Sequence, residues 1–389
     1  MHDTLPPSQM IYLDNSATTR LDEDVLEAML PWLRDGYGNA SSIYDLGRRA
    51  RVAVESARST IAAALNAHPA EIIFTSGGTE SNNAILKSVL HESSLARRLA
   101  VGATEHHAVL HPAEAERVAG TAVDIMGVDH DGLVDLTALE QHNRADTLVS
   151  LMHANNETGI IQPLVEVRKR VPLALLHSDA VQSFGKIPID VQGLGVDFLS
   201  LSAHKIHGPK GVGAMFIRKG VDFKSHQQGG GQERNRRAGT EPVALIVGFA
   251  AAAKKAMSEL DIRSNHMLEL VRHARQMLQS DIPDVRINTP ETGSLPNILN
   301  VSFLDADRLD GEAIIQSMDI AGVAVSNGSA CVSGSQQPSH VLLAMGRSSA
   351  ESHAAVRISV SIHSTRQEIE RACTILSSVV RNLRGQTHN

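Results

Sequence analysis

Aromatic side chains are scarce. They make up 3% of the chain, with one Trp, three Tyr and seven Phe, so a surface that recognises its partner by stacking on bases or sugars is not expected. The core has to be mainly aliphatic. Cysteine is scarcer still, with Cys331 and Cys373 alone in 389 residues. Two thiols cannot make a disulfide framework, and both are read as free in a reducing compartment. No run of about 18 apolar residues occurs, and Met1 to Met10 holds two prolines and an Asp but no basic segment followed by an apolar one. The expectation is a soluble, cytoplasmic protein without a membrane partner. Positive charge is in deficit, 36 Lys and Arg against 43 Asp and Glu for a net −7, and no long basic run offers a footprint for nucleic acid.

What remains is an ordinary globular composition, 42% hydrophobic, long enough for two or three domains at roughly 150 residues each. Val25, Leu26, Met29, Leu30 and Leu33 form a helical stripe over Asp22 to Arg34, opened by acidic residues that suit the helix dipole. A second amphipathic helix is predicted from Leu46 to Leu65. Short apolar runs then alternate with helical ones: Glu71 to Phe74, Leu99 to Gly102, Thr147 to Met152, Leu173 to Leu176 and Asp197 to Leu201. That alternation predicts an α/β fold, a mostly parallel sheet flanked by helices. Each run is followed by polar residues: Thr75 to Thr79, Thr104 to His106, Asn155 to Glu157, Ser178 to Gln182, and Ser202 to Lys205. Open α/β sheets bind ligands at the carboxyl ends of their strands, so one composite site is implied.

Past Pro242 a long Ala-rich helical stretch, Val243 to Leu278, leads into a smaller α+β domain. There a strand over Ile298 to Phe303, a helix over Gly311 to Met318, a Gly/Ser-rich loop, a strand over Ala355 to Ser361 and a last helix from Gln367 are expected. The expected division is a large domain at 15–255 and a small one made of 1–14 and 256–389, which carries the loop 326–335.

Gly77-Gly78-Thr79-Glu80, between a strand and a helical run, is a backbone-amide cradle suited to a phosphate; alone it is a weak signal. Lys205, in Ser-Ala-His-Lys-Ile-His-Gly-Pro-Lys-Gly, follows a buried strand. Partial desolvation there lowers a lysine's pKa and frees its amine to form a Schiff base with a carbonyl; a solvated loop lysine is the plain alternative. His204 and His207 could instead pair on a metal, but no His-Glu-x-x-His motif or spaced cysteine pair accompanies them, and no metal is expected. Asp179 ends the preceding strand, and an acid beside a Schiff-base lysine is what a pyridine-ring cofactor needs to keep its nitrogen protonated. Cradle, acid and lysine together fit pyridoxal 5'-phosphate.

Longer motifs carry a resemblance. Tyr12-Leu13-Asp14-Asn15-Ser16-Ala17-Thr18-Thr19, Phe74 to Asn83, Ser202 to Gly211, Gly229 to Arg234 with Arg237 to Thr240, Leu295 to Val301, and Ser329-Ala330-Cys331 resemble the cysteine desulfurases of the nitrogen-fixation and iron-sulfur-cluster type, nearly end to end. The resemblance implies a homodimer of pyridoxal-phosphate fold type I that converts L-cysteine to L-alanine. It implies that Lys205 binds the cofactor, Asp179 pairs with the ring nitrogen and His106 stacks on the ring. Gly78, Thr79, Ser202 and His204 hold the phosphate with Thr240 of the second subunit, and Asn156 and Gln182 lie near the ring hydroxyl. Asn39 and Arg357 receive the substrate carboxylate, a task suited to a planar guanidinium.

Cys331 takes the sulfur as a persulfide in this family and delivers it to an acceptor such as an iron-sulfur scaffold or a tRNA thiolation enzyme. Its loop of small residues predicts mobility, and since a free thiol titrates at about 8.5, a neighbouring base or cation must supply the thiolate. Cys373, among Ala372, Ile375 and Leu376, reads as core. The chain departs from its relatives at Ile43-Tyr44, at Gln232 and at Gln336-Gln337, where neutral glutamines would weaken docking of a basic partner. The same cofactor site would also serve a selenocysteine lyase or an aminotransferase. A non-catalytic scaffold for sulfur carriers is the alternative from a different class, disfavoured by the joint presence of lysine, acid and thiol.

Overall fold

The computed structural model describes residues 10–93, 95–304, 306, 309–327 and 337–386. In chain order the first half runs β1 (Ile11–Tyr12), α1 (Glu23–Arg34), α2 (Asp45–Ala64), β2 (Ile72–Thr75), α3 (Gly78–Lys87), β3 (Arg98–Gly102), α4 (His107–Val118), β4 (Ala122–Met126), β5 (Thr147–Ser150), α5 (Leu164–Arg170), β6 (Leu175–Asp179), α6 (Val191–Leu194), β7 (Phe198–Ser202) and β8 (Gly213–Ile217). There follow α7 (Val243–Ser258), α8 (Leu260–Asp281), β9 (Val285–Ile287), β10 (Ile298–Phe303), α9 (Gly311–Ile320), β11 (Val323–Ala324), α10 (His340–Ala344), α11 (Ser349–His353), β12 (Val356–Ser359) and α12 (Arg366–Gln386).

The expected mostly parallel sheet has the order β2-β8-β7-β6-β5-β3-β4. β8 is antiparallel to both its neighbours, whereas β7, β6, β5, β3 and β4 pair in parallel. Alternation sets the two faces. Ile72 and Phe74 of β2, Leu199 and Leu201 of β7 and Ala214 and Phe216 of β8 share one core with Val54 and Ile61 of α2 and Phe249 of α7. Ile73, Phe198, Met215 and Ile217 face the other way, onto Ile85, Leu86 and Val109 of α3 and α4. A separate antiparallel sheet, β12-β10-β9, packs with α8, α9 and α12 and with Ile11 and Leu13.

Several elements differ from the sequence expectation; among them β4, mostly exposed at the sheet edge, has no predicted counterpart. β6 starts two residues late, because Leu173 is exposed, and runs on through polar His177 and Ser178 to Asp179. Those residues belong in a strand because His177 is satisfied across the sheet: its Nδ1 lies 2.8 Å from Ser150 Oγ and its Nε2 3.1 Å from Ser200 Oγ. Burial holds that imidazole neutral, pushing it down to about 3. β8 was not foreseen; it lies where Gly213 passes so close to Gly77 that a Cβ on it would come within 2.6 Å of the Gly77 Cα. The Ala-rich stretch is two helices, interrupted at Glu259, whose φ of −113° and ψ of 13° are not helical.

Candidate active site

The carboxyl ends of β2, β3, β5, β6 and β7 open on one cavity of about 300 Å³, at the small end of the range for ligand sites. Its walls include Gly78 and Thr79 at the head of α3, His106 after β3, and Asn156 after β5. They also include Asp179 and Gln182 from the end of β6, Ser202, His204 and Lys205 after β7, and Arg357 from β12 of the other sheet. Asn39 and Thr240 are exposed and stand outside this cavity within the single chain. Cys331 lies outside the described residues, together with all of 328–336.

Asp179 is 6% exposed. Its Oδ2 accepts from Asn82 Nδ2 at 2.6 Å and its Oδ1 from the Val181 N–H at 2.9 Å, so the carboxylate is fixed by an amide from α3 and by its own turn. Lys205 Nζ donates to Ser16 O and Ala17 O, 2.6 Å each, which seats the amine on the N-terminal segment. His106 caps α4: its Nδ1 accepts from the Ala108 N–H at 3.0 Å, leaving Nε2 to carry the ring proton. Burial and then Lys205 hold it below the usual imidazole range, against the pull of Asp179. His204 is likewise pushed down to about 4, by burial first and then by Lys205, Lys210 and Lys186. It faces Thr18 Oγ1 at 3.1 Å, while His207 turns to Arg20 O at 2.9 Å, so the two histidines serve different walls.

Arg357 is 2% exposed. Nη2 donates to Asp14 Oδ1 at 2.7 Å and Nη1 to Asn156 O at 2.9 Å, and these bonds set the plane of the guanidinium. Asp14 stands in a motif noted from the sequence, but nothing there signals its role; the ion pair spans 343 positions. Asn82 and Glu105 were equally unforeseen. The Asn82 Oδ1 is buried without a partner among the described residues. Glu105 accepts from the Met152 N–H, and burial followed by the charge of Asp179 raises its carboxyl well above the usual range.

The loop leading to Thr240 is locally anchored. Glu233, Arg234 and Asn235 have φ of 45°, 59° and 62°, costly for residues with a Cβ. Arg58 grips the Glu233 carboxylate with bonds of 2.7 and 2.9 Å. The amide oxygen of Gln232, one of the departures from its relatives, accepts from the Gly239 N–H at 3.0 Å, which gives that glutamine a task inside the loop.

A sheet of this order, with lysine, acid and helix-head amides at its carboxyl edge, defines a fold type I enzyme of the pyridoxal-phosphate class. Comparison with known proteins narrows it. The family described as Aminotransferase class-V matches residues 11–372. The cysteine desulfurase IscS of Dictyoglomus turgidum is 43% identical over 378 residues, which cover 96% of this chain and 95% of that one. A solved NifS-like protein superposes with a TM-score of 0.88 at 39% identity, over 96% of this chain and 100% of its own. The structure of SspA in complex with cysteine gives 0.78 at 32%, over 91% and 100%. The chain belongs to the class-V aminotransferase family, and within it to the cysteine desulfurases, which are pyridoxal-phosphate-dependent enzymes.

Proposed function

We propose that this enzyme converts L-cysteine to L-alanine with pyridoxal phosphate on Lys205, and that Cys331 takes the sulfur as a persulfide. The observation that carries the reading is the meeting of a lysine amine, a buried carboxylate and the head of a ten-residue helix around one cavity. The donor set suits the cofactor. Asp179 can only accept, which matches a protonated ring nitrogen; the N–H groups at the start of α3 match a phosphate; Ser202 and His204 flank them. When bound there, pyridoxal phosphate supplies an electron sink for charge developing at the substrate α-carbon.

The chain's own residues do the rest. Arg357, fixed by Asp14, binds the substrate carboxylate; Asn39, exposed outside the cavity within one chain, is not brought to it there. Lys205 would move the proton at the α-carbon, and His106, whose imidazole burial and then Lys205 hold below the usual range, would pack on the cofactor and keep water off. The Cys331 thiolate forms the S–S bond as the substrate C–S bond breaks, and the bonding pair passes to the β-carbon, which takes up a proton to become the methyl of alanine. Thr240 completes the phosphate site of a second subunit in a homodimer, and its exposure within one chain is what such a role requires. The sulfur then passes to an acceptor protein, an iron-sulfur scaffold or a tRNA thiolation enzyme, in the cytoplasm. Among the described residues no helix is long and apolar enough to cross a membrane.

Anaerobic incubation with L-cysteine tests this reading: alanine and one protein-bound sulfur on Cys331 should accumulate together by mass spectrometry. Transfer of the amino group to a 2-oxo acid with no bound sulfur would favour an aminotransferase instead.

The cradle makes its own prediction. A Cβ on Gly78 would lie 2.5 Å from Val181 Cγ2, and such overpacking costs about 1–3 kcal/mol. Gly78→Ala should therefore retain the cofactor about 5- to 150-fold less tightly, and Val181→Ala in the same chain should restore retention. Equilibrium dialysis reads both.

A further inference from the structure

One buried cation has no part in the scheme above. Lys186 is 5% exposed, and its ammonium is held by neutral oxygens: Nζ donates to Gln182 O at 2.8 Å and to Gln182 Oε1 at 3.2 Å. Burying a lysine on such partners is costly. Burial and then the like charges of Lys205 and Arg357 bring it down to about 7. An apolar side chain would fill the space more cheaply, so the amine's hydrogen-bonding chemistry is what the position uses.

That chemistry is directional. A lysine in this contact donates whether it carries three protons or two, so the Gln182 Oε1 is committed to Lys186 and the Nε2 faces the other way. There it donates to Ser16 O at 2.9 Å, the carbonyl that also seats Lys205. Gln182 lines the cofactor cavity, and its second Nε2 proton is the one available to it. Beside Lys186 a small cavity of about 20 Å³ is lined by Lys186, Lys205 and Asn297. Asn297 is fully buried, with neither amide atom partnered among the described residues. That volume is large enough for one water, positioned to accept a hydrogen bond from Lys186 and to serve the Asn297 amide.

We infer that Lys186 is a positioning residue that fixes the polarity of the Gln182 amide, so that the cofactor cavity meets an N–H donor and never the amide oxygen. The inference rests on the reading of that cavity as the pyridoxal-phosphate site. A donor there favours the anionic form of a ring oxygen; a flipped amide would oppose it with lone pairs.

The test compares wild type, Lys186→Met, Lys186→Gln, and Lys186→Met in a Gln182→Leu background, all loaded with pyridoxal phosphate at one pH. Lys186→Met should move absorbance from the visible band to the near-ultraviolet band and loosen the cofactor about tenfold, the loss of one well-made hydrogen bond. Its melting temperature should hold or rise, since Met replaces a buried cation. Lys186→Gln, which keeps an N–H donor, should retain the wild-type spectrum. In the Gln182→Leu background Lys186→Met should change the spectrum no further. A Lys186→Met protein with wild-type spectrum and cofactor affinity overturns the inference, as does a Lys186→Gln spectrum that shifts by the full amount. A wild type without a visible band overturns the reading of the site itself, so the two failures are distinct.

Discussion

Asp179→Asn should lower alanine formation by about 10²–10³-fold, the usual cost of losing one preorganised electrostatic partner, while the protein folds and binds cofactor. The expectation follows from how the carboxylate is held. The new side chain keeps an oxygen for the Val181 N–H, and its amide faces Asn82. Asn82 can rotate and offer the Oδ1 that is buried without a partner among the described residues. Shape and hydrogen bonds therefore survive, and only the charge is lost. A protonated ring nitrogen is then no longer favoured, and charge developing at the α-carbon has no sink. Cofactor content by absorbance, melting temperature and alanine release separate these effects. Turnover near wild type in a cofactor-loaded variant would give the acid another task.

The second large effect divides the two cysteines. Cys331→Ser should reduce alanine release by at least about 10²-fold, as removal of a nucleophile does, while L-cysteine still perturbs the visible spectrum because the binding residues remain. Cys373→Ala should turn over normally. Cys373 is fully buried between α8 and α12, its Sγ 4.0 Å from Ala274 O. Burial, followed by the charge of Asp281, pushes its thiol up to about 12. It forms essentially no thiolate at neutral pH and cannot compete for sulfur. Trimming it should cost about 1 kcal/mol of stability, read by denaturant unfolding. Extra sulfur found on Cys373 would reverse the assignment.

Local chemistry made some of this site legible in the sequence. Gly77-Gly78-Thr79, Asp179 and Lys205 sit at strand ends, where a change from apolar to polar residues marks the boundary, and the parallel order of the strands brings those ends together. β8 escaped because Gly213-Ala-Met-Phe-Ile217 follows closely on a Gly/Pro turn and its pairing with β2 is set by tertiary contact. Sequence alone ends β6 at Leu176, because His177 and Ser178 look like loop residues until their partners on β5 and β7 are known. The supporting residues were invisible for a related reason. Asp14 reaches Arg357 across 343 positions and Asn82 reaches Asp179 across 97, and no spacing rule reports pairs that distant. Lys186 stands out only through its burial against Gln182.

Borohydride reduction of the purified protein followed by peptide mapping decides whether Lys205 carries the cofactor. The visible band should bleach, and a single pyridoxyl group should be found on Lys205. A pyridoxyl group on Lys186, Lys210 or Lys219 instead, or a protein that binds no pyridoxal phosphate at all, would contradict that assignment.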